Sequence, residues 1–140
     1  MQPQPLICCN DVQLSSRWYQ RLLNLRSAHG GPNYERLETA EGVLVLQLHA
    51  FDVVHDHGAI GDAGDRPYGN GLLLWFEVTD FEASVDRAAE IGAEIIHPPH
   101  SNPPEGESGG PIHWEIWLRG ADGCTVVLAR PDGTANNGWA

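Results

Sequence analysis

The sequence predicts an α+β chain built from one βαβββ unit used twice. Three observations predict it. An apolar strand followed directly by a helix-capping aspartate occurs at Leu6–Cys9 with Asp11, and again at Gly71–Val78 with Asp80. A serine follows each cap at the same distance, Ser15 and Ser84. Beyond each helical stretch come further short β-rich segments, so the order of elements matches across both halves. The 140 residues fit one domain, 1–140. Within it module 1 covers about 4–50, a crossover loop about 51–70, module 2 about 71–130 and a loose tail 131–140.

Each element has its own warrant. Leu6–Cys9 is a short apolar strand, and after Asp11 the residues Val12, Ser15, Trp18, Tyr19, Leu22 and Leu23 recur at helical spacing. That helix should stop near Asn24-Leu25. Gly30-Gly31-Pro32 turns the chain into a strand at Glu35–Leu37, and Glu41-Gly42 turns it into Val43–His49. Asp52–Asn70 is rich in Gly, Asp and His without periodicity, as a crossover between repeats would be. Gly71–Val78 opens the second copy, with a helix from the Thr79/Asp80 cap through Ile91 and Gly92 as its stop. Ala93–Ile96 reads as a strand, His97–Pro111 as irregular, and Ile112–Leu118 and Cys124–Ala129 as strands joined by the hairpin signal Asp122-Gly123.

Composition narrows the function classes. Hydrophobic residues at 41% and charged residues at 19% are ordinary for a soluble globular chain, and no apolar run is long enough to span a membrane. The start of the chain carries no signal-peptide pattern, and three cysteines, two of them adjacent, make no disulfide framework; a cytoplasmic protein is expected. A net charge of −11 argues against nucleic-acid binding and is compatible with a cationic ligand. Five tryptophans in so short a chain are good platforms for aromatic or cationic ligands as well as core material.

Asp11-Val12-x-x-Ser15-x-x-Trp18-Tyr19-x-x-Leu22-Leu23 resembles the D-x-x-x-S-x-x-F-Y-x-x-x-L-G signature of the vicinal oxygen chelate superfamily, which groups glyoxalases, extradiol dioxygenases, and fosfomycin and bleomycin resistance proteins. Phe76-x-Val78-x-Asp80 resembles its F-x-V-x-D entry to the second module. Gly120-Ala121-Asp122-Gly123 resembles its D-P-D-G hairpin, with the first two residues different. The resemblance implies paired βαβββ modules, each curling a mixed sheet around a shared cavity, and commonly a homodimer. The chemistry of such a scaffold is decided by its site. Enzymes of the family hold a divalent metal at four strand positions, which fall here on Gln4, Gln47, Leu73 and Val127. Two hydrocarbon side chains and two neutral amides give no anionic or imidazole ligand, so neither metal nor cofactor is expected.

Strand alternation places Val45, Gln47 and His49 on one face of their strand, with Leu44, Leu46 and Leu48 toward the helix. Leu73, Trp75 and Glu77 share the cavity face of theirs, and the family's register turns His113, Glu115 and Trp117 inward, with Thr125, Val127 and Ala129 on the last strand. The expected ligand-binding set is therefore Gln47, His49, Trp75, Glu77, His113, Glu115 and Trp117. His49, His113, Glu77 and Glu115 are its candidate acid–base groups. His55-Asp56-His57 is a tempting local trio that reads better as a solvated loop, and Cys8 and Cys124 lack a readable base partner. The leading reading is a non-metal binder of the bleomycin-resistance type that sequesters an amphipathic or cationic aromatic small molecule. The alternatives are a glyoxalase- or dioxygenase-like enzyme with a relocated metal or a metal-free acid–base site, and a module with no small ligand.

Overall fold

The computed structural model describes residues 1–53, 56–102 and 113–131. The elements are β1 (Leu6–Cys9), α1 (Val12–Leu23), β2 (Arg26–Ser27), β3 (Tyr34–Glu38), β4 (Leu44–Ala50), β5 (Leu73–Glu77), α2 (Phe81–Glu90), β6 (Glu94–Asn102), β7 (His113–Arg119) and β8 (Thr125–Pro131). They make two four-stranded mixed sheets of identical order, β1-β4-β3-β2 and β5-β8-β7-β6. In each, the first strand pairs parallel with the last and the other pairs are antiparallel. The chain is therefore the α+β arrangement of two similarly built βαβββ modules. It divides into two compact units, one of residues 1–70 with Ala121–Gly123, the other of Gly71–Gly120 with Cys124–Ala140.

The two helices start in the same way. Asp11 sits at φ −131°, ψ 95° and accepts from the Leu14 amide at 2.8 Å; Asp80 sits at φ −125°, ψ 94° and accepts from the Ala83 amide at 3.0 Å. Each satisfies a donor that the first turn would otherwise leave without an intrahelical partner. They stop differently. Asn24 takes the left-handed conformation (φ 54°) to close α1, whereas α2 ends at Ile91 and Gly92 supplies the positive φ of 65°.

Helix α1 buries Val12, Ser15, Ser16, Tyr19 and Leu22 against β2, β3 and β4, where it meets Leu37, Leu46 and Leu48. The Tyr19 hydroxyl donates to Asp122 at 2.9 Å, so its polar end is satisfied inside the core. Helix α2 is shorter, buries Phe81, Ser84 and Ala88, and rests mainly on β8, above Val126 and Leu128. The apolar row Leu44-Leu46-Leu48 on β4 is buried. Of the residues alternating with Leu73, Trp75 and Glu77, which strand alternation turns toward the helix, Leu74 is buried, Phe76 and Val78 are half-buried, and Leu72, which precedes β5, is exposed.

Two elements differ from the sequence expectation. Strand β2 is two exposed residues with no apolar pattern, so nothing in its composition announces it. Strand β6 does not end at Ile96 but runs on to Asn102, through a stretch expected to be irregular. It does so by slipping register between Ile95 and His97 and again between His97 and His100. Proline cannot donate to a ladder and is confined to edges and bulges, and Pro98-Pro99 sits within the second slip on an edge strand. The crossover stretch clusters with the first unit, where Asn10 donates to the Tyr68 hydroxyl at 2.8 Å and Tyr68 donates to the Ala63 carbonyl at 2.6 Å. The tail expected at 131–140 lies outside the described residues from 132 onward, as does His55. No helix among the described residues is long and apolar enough to cross a membrane.

Candidate functional site

The residues expected to bind ligand fall into two groups, one on each sheet. On the first sheet Gln47 and His49 stand on β4 facing away from α1. Cross-strand pairing sets Leu6 beside Gln47 and Cys8 beside His49 on one side, with Arg36 and Tyr34 on the other. The Gln47 amide is engaged at both ends: its oxygen accepts a short hydrogen bond from the Tyr34 hydroxyl, and its nitrogen donates to the Gln4 carbonyl at 3.0 Å. His49 is buried, and its Nδ1 donates to the Ala50 carbonyl at 2.8 Å. A cavity of about 580 Å³ opens here, with His29, Tyr34, His49 and His57 around Leu6 and the Gly30-Gly31-Pro32 turn as a wall. His57 of the loop trio reaches this cavity, with its ring 5.9 Å from that of His49.

That turn is held by Glu35, whose place in a strand gives no sign of this role. Glu35 is 3% exposed, on the helix-facing side of β3. Its carboxylate accepts from Ser16 of α1 (3.0 Å), Ser27 (2.7 Å), and the backbone amides of His29 (3.1 Å), Gly30 (2.8 Å) and Arg36 (2.8 Å). Burial pushes its pKa up, but the Ser27 hydroxyl and the three amides outweigh burial and hold it below the ordinary carboxylate value. The neighbouring thiols are the opposite case. Burial pushes Cys9 up to about 12 and raises Cys8, so neither is a ready nucleophile.

On the second sheet the face opposite α2 carries the other five. Register aligns Trp75 with Val127 and Trp117, and Glu77 with Ala129 and Glu115. Trp75 is 45% exposed and Glu77 is exposed; Trp117 and His113 are half-buried; Val127 and Ala129 form a buried floor. With strands about 4.8 Å apart, the two tryptophan backbones stand roughly 10 Å from each other across that floor. Glu115 is 1% exposed. It accepts from the Trp117 indole (2.9 Å) and Asn102 (3.1 Å), and the His100 Nε2 stands 3.6 Å away. Because His100 Nδ1 already donates to the Pro98 carbonyl at 2.7 Å, this last contact is an ion pair only while the ring carries both protons. The His113 ring lies edge-on to Trp75 at 6.4 Å, and its Nδ1 is buried without a hydrogen-bond partner among the described residues.

Three members of this face lie outside the set that strand alternation predicts: His97, His100 and Asn102, all from β6. His97 packs edge-on against Trp117 at 5.2 Å and lies 6.1 Å from His100. Residues three apart on a regular strand face opposite ways, but the extra residue of the bulge pairs His97 with Trp117 and His100 with Glu115. The Pro98-Pro99 pair inside a β-rich run is the signal that could have found it.

The four positions where related enzymes hold a metal offer a poor donor set. Leu73 and Val127 are hydrocarbon, Gln4 is exposed, and the Gln47 amide is committed to Tyr34 and the chain. Among the described residues no group of three or more His, Cys, Asp or Glu side chains is placed to hold an ion.

Comparison with known proteins gives one family and many similar folds. The sequence model of the Glyoxalase/Bleomycin resistance protein/Dioxygenase superfamily matches residues 2–126. No curated protein matches in sequence. Among solved structures, the Vibrio cholerae integron cassette protein VCH_CASS1 is 16% identical, with 93% of this chain and 94% of that one covered at a TM-score of 0.66. TioX from Micromonospora sp. ML1 is also 16% identical, over 93% and 98% of the two chains, at 0.66. The fosfomycin resistance protein FosX from Mesorhizobium loti is 14% identical, over 93% and 90%, at 0.60. At these identities the likeness is one of fold.

Proposed function

The chain belongs to the Glyoxalase/Bleomycin resistance protein/Dioxygenase superfamily, and from that premise we propose that it is a binding protein for a small amphipathic molecule, an aromatic organic cation above all. The observation that carries this reading is the face of the second sheet opposite α2. Two tryptophans flank a floor of Val127 and Ala129, one carboxylate is exposed at Glu77, and a second is buried at Glu115 with one hydrogen bond to each oxygen. Flat indole walls offer dispersion and cation–π attraction, and the carboxylates set the sign of the ligand. A net charge of −11 favours the same sign at long range. The hydrocarbon side chains at Leu73 and Val127 support binding over metal chemistry. The buried thiol of Cys9 suits a reducing cytoplasm, and a homodimer is the assembly we expect.

Titration with a planar aromatic cation, N-methylacridinium, followed by tryptophan fluorescence, tests the reading. Saturable quenching that is lost in Trp117→Ala supports it. A stoichiometric, tightly held transition metal in the purified protein would overturn it. A second reading, a metal-free acid–base enzyme, is favoured by one contact, His100 beside buried Glu115 at 3.6 Å. Turnover that disappears in Glu115→Gln while cation binding persists would select it.

A further inference from the structure

On the opposite side of the second sheet, between α2 and strands β6 and β7, lies a groove of about 450 Å³. Helix α2 is short and rests mainly on β8, whereas α1 in the other module spans three strands. Among the described residues, the part of the sheet that α2 does not cover carries Trp114 and Pro99, and the helix contributes Phe81 and Val85 to the same groove. Its rim is acidic. Glu82 and Asp86 stand one helical turn apart on one side of α2. Arg130 also lines the groove, but its guanidinium is held 3.3 Å from Glu82, which leaves the Asp86 carboxylate to set the charge that an incoming group meets.

We propose that this groove is a second ligand site, for an organic cation with a compact apolar or aromatic body, distinct from the Trp75–Trp117 face. Its volume falls in the range of small-molecule sites, and aromatic and aliphatic walls under a rim where Glu82 is paired with Arg130 and Asp86 adds a second carboxylate match that chemistry. The walls themselves are apolar, so a quaternary or otherwise screened cation, which asks for no hydrogen-bond acceptors, suits them best. The site stands on its own observations and holds whether or not the other face binds.

Benzyltrimethylammonium is the probe, with benzyl alcohol as its neutral counterpart, read by amide and indole NMR shifts at low ionic strength. The expected result is saturable shifts at residues 82–86 of α2 and at the Trp114 indole. Asp86→Asn weakens the affinity about 3- to 10-fold, raised salt weakens it further, and benzyl alcohol binds several-fold less tightly. Val85→Arg, which puts a guanidinium into the groove, abolishes the shifts, while Trp117→Ala leaves them in place. Should Val85→Arg fail to fold, Asp86→Asn at an exposed position and the neutral probe carry the test. Absence of saturable shifts at α2, equal binding of benzyl alcohol, or undiminished affinity in Asp86→Asn would overturn the proposal. Each of these results leaves the reading of the Trp75–Trp117 face untouched.

Discussion

Each module buries one carboxylate on the third strand of its sheet, Glu35 on β3 and Glu115 on β7, and the two are put to different ends. Glu35 pairs with Leu48 and so faces the helix; its donors are two serines and three backbone amides, which tie α1, β2 and the 28–31 turn together. Glu115 pairs with Ala129 and faces the other way; its donors are the side chains of Trp117 and Asn102, with His100 nearby. A carboxylate satisfied mostly by backbone fixes the path of the chain. One satisfied by side chains on an open face fixes the rotamers of groups that a ligand can meet, which is what a binding site requires.

Substitution of the two carboxylates should separate these roles. Glu35→Ala strands five donors and is expected to destabilise the protein by about 3 kcal/mol in denaturant unfolding, with little direct effect on cation binding to the second module. Glu115→Gln should cost no more than about 1 kcal/mol of stability but weaken N-methylacridinium binding roughly tenfold. Equal loss of stability in the two variants would erase the distinction.

Acid offers a second separation. The folded pKa of Glu35 is held below its ordinary value of 4.5, so its stabilising contribution is complete above that pH. The contribution is lost as pH falls below 4.5 and the folded carboxylate takes up its proton. Urea midpoints measured from pH 6 down to pH 3 should therefore fall in the wild type and fall less steeply in Glu35→Gln. Parallel curves would show that Glu35 is not held in the way its donors imply.

The helix caps should make the modules alike again. Asp11→Ala and Asp80→Ala each remove one side-chain cap of nearly identical geometry, and each is expected to cost about 1 kcal/mol in thermal unfolding. A cap that mattered in one module only would show that the repeat is one of shape rather than of energetics.

The same contrast explains what could be read from the residues alone. The repeat, both caps, the buried leucine row of β4 and the alternation that groups Trp75 with Glu77 and His113 with Glu115 and Trp117 follow from local periodicities of two and 3.6. Features that break periodicity stayed hidden. His97 and His100 share a face only because a bulge at Pro98-Pro99 shifts the register, and Glu35 has donors on β2, eight residues back in the chain, on the turn that follows it and on a helix. Long-range donors leave no local pattern, so a buried glutamate reads like any glutamate in a strand.

The central claim is that the face bearing Trp75, Trp117 and Glu115 binds an aromatic organic cation. Indole NMR during titration with N-methylacridinium tests it most directly. Saturable shifts are predicted at the Trp75 and Trp117 indoles, with the Trp18 indole on α1 unmoved and the affinity reduced about tenfold in Glu115→Gln. Saturation that leaves the Trp75 and Trp117 signals in place, or none at all, would contradict the account.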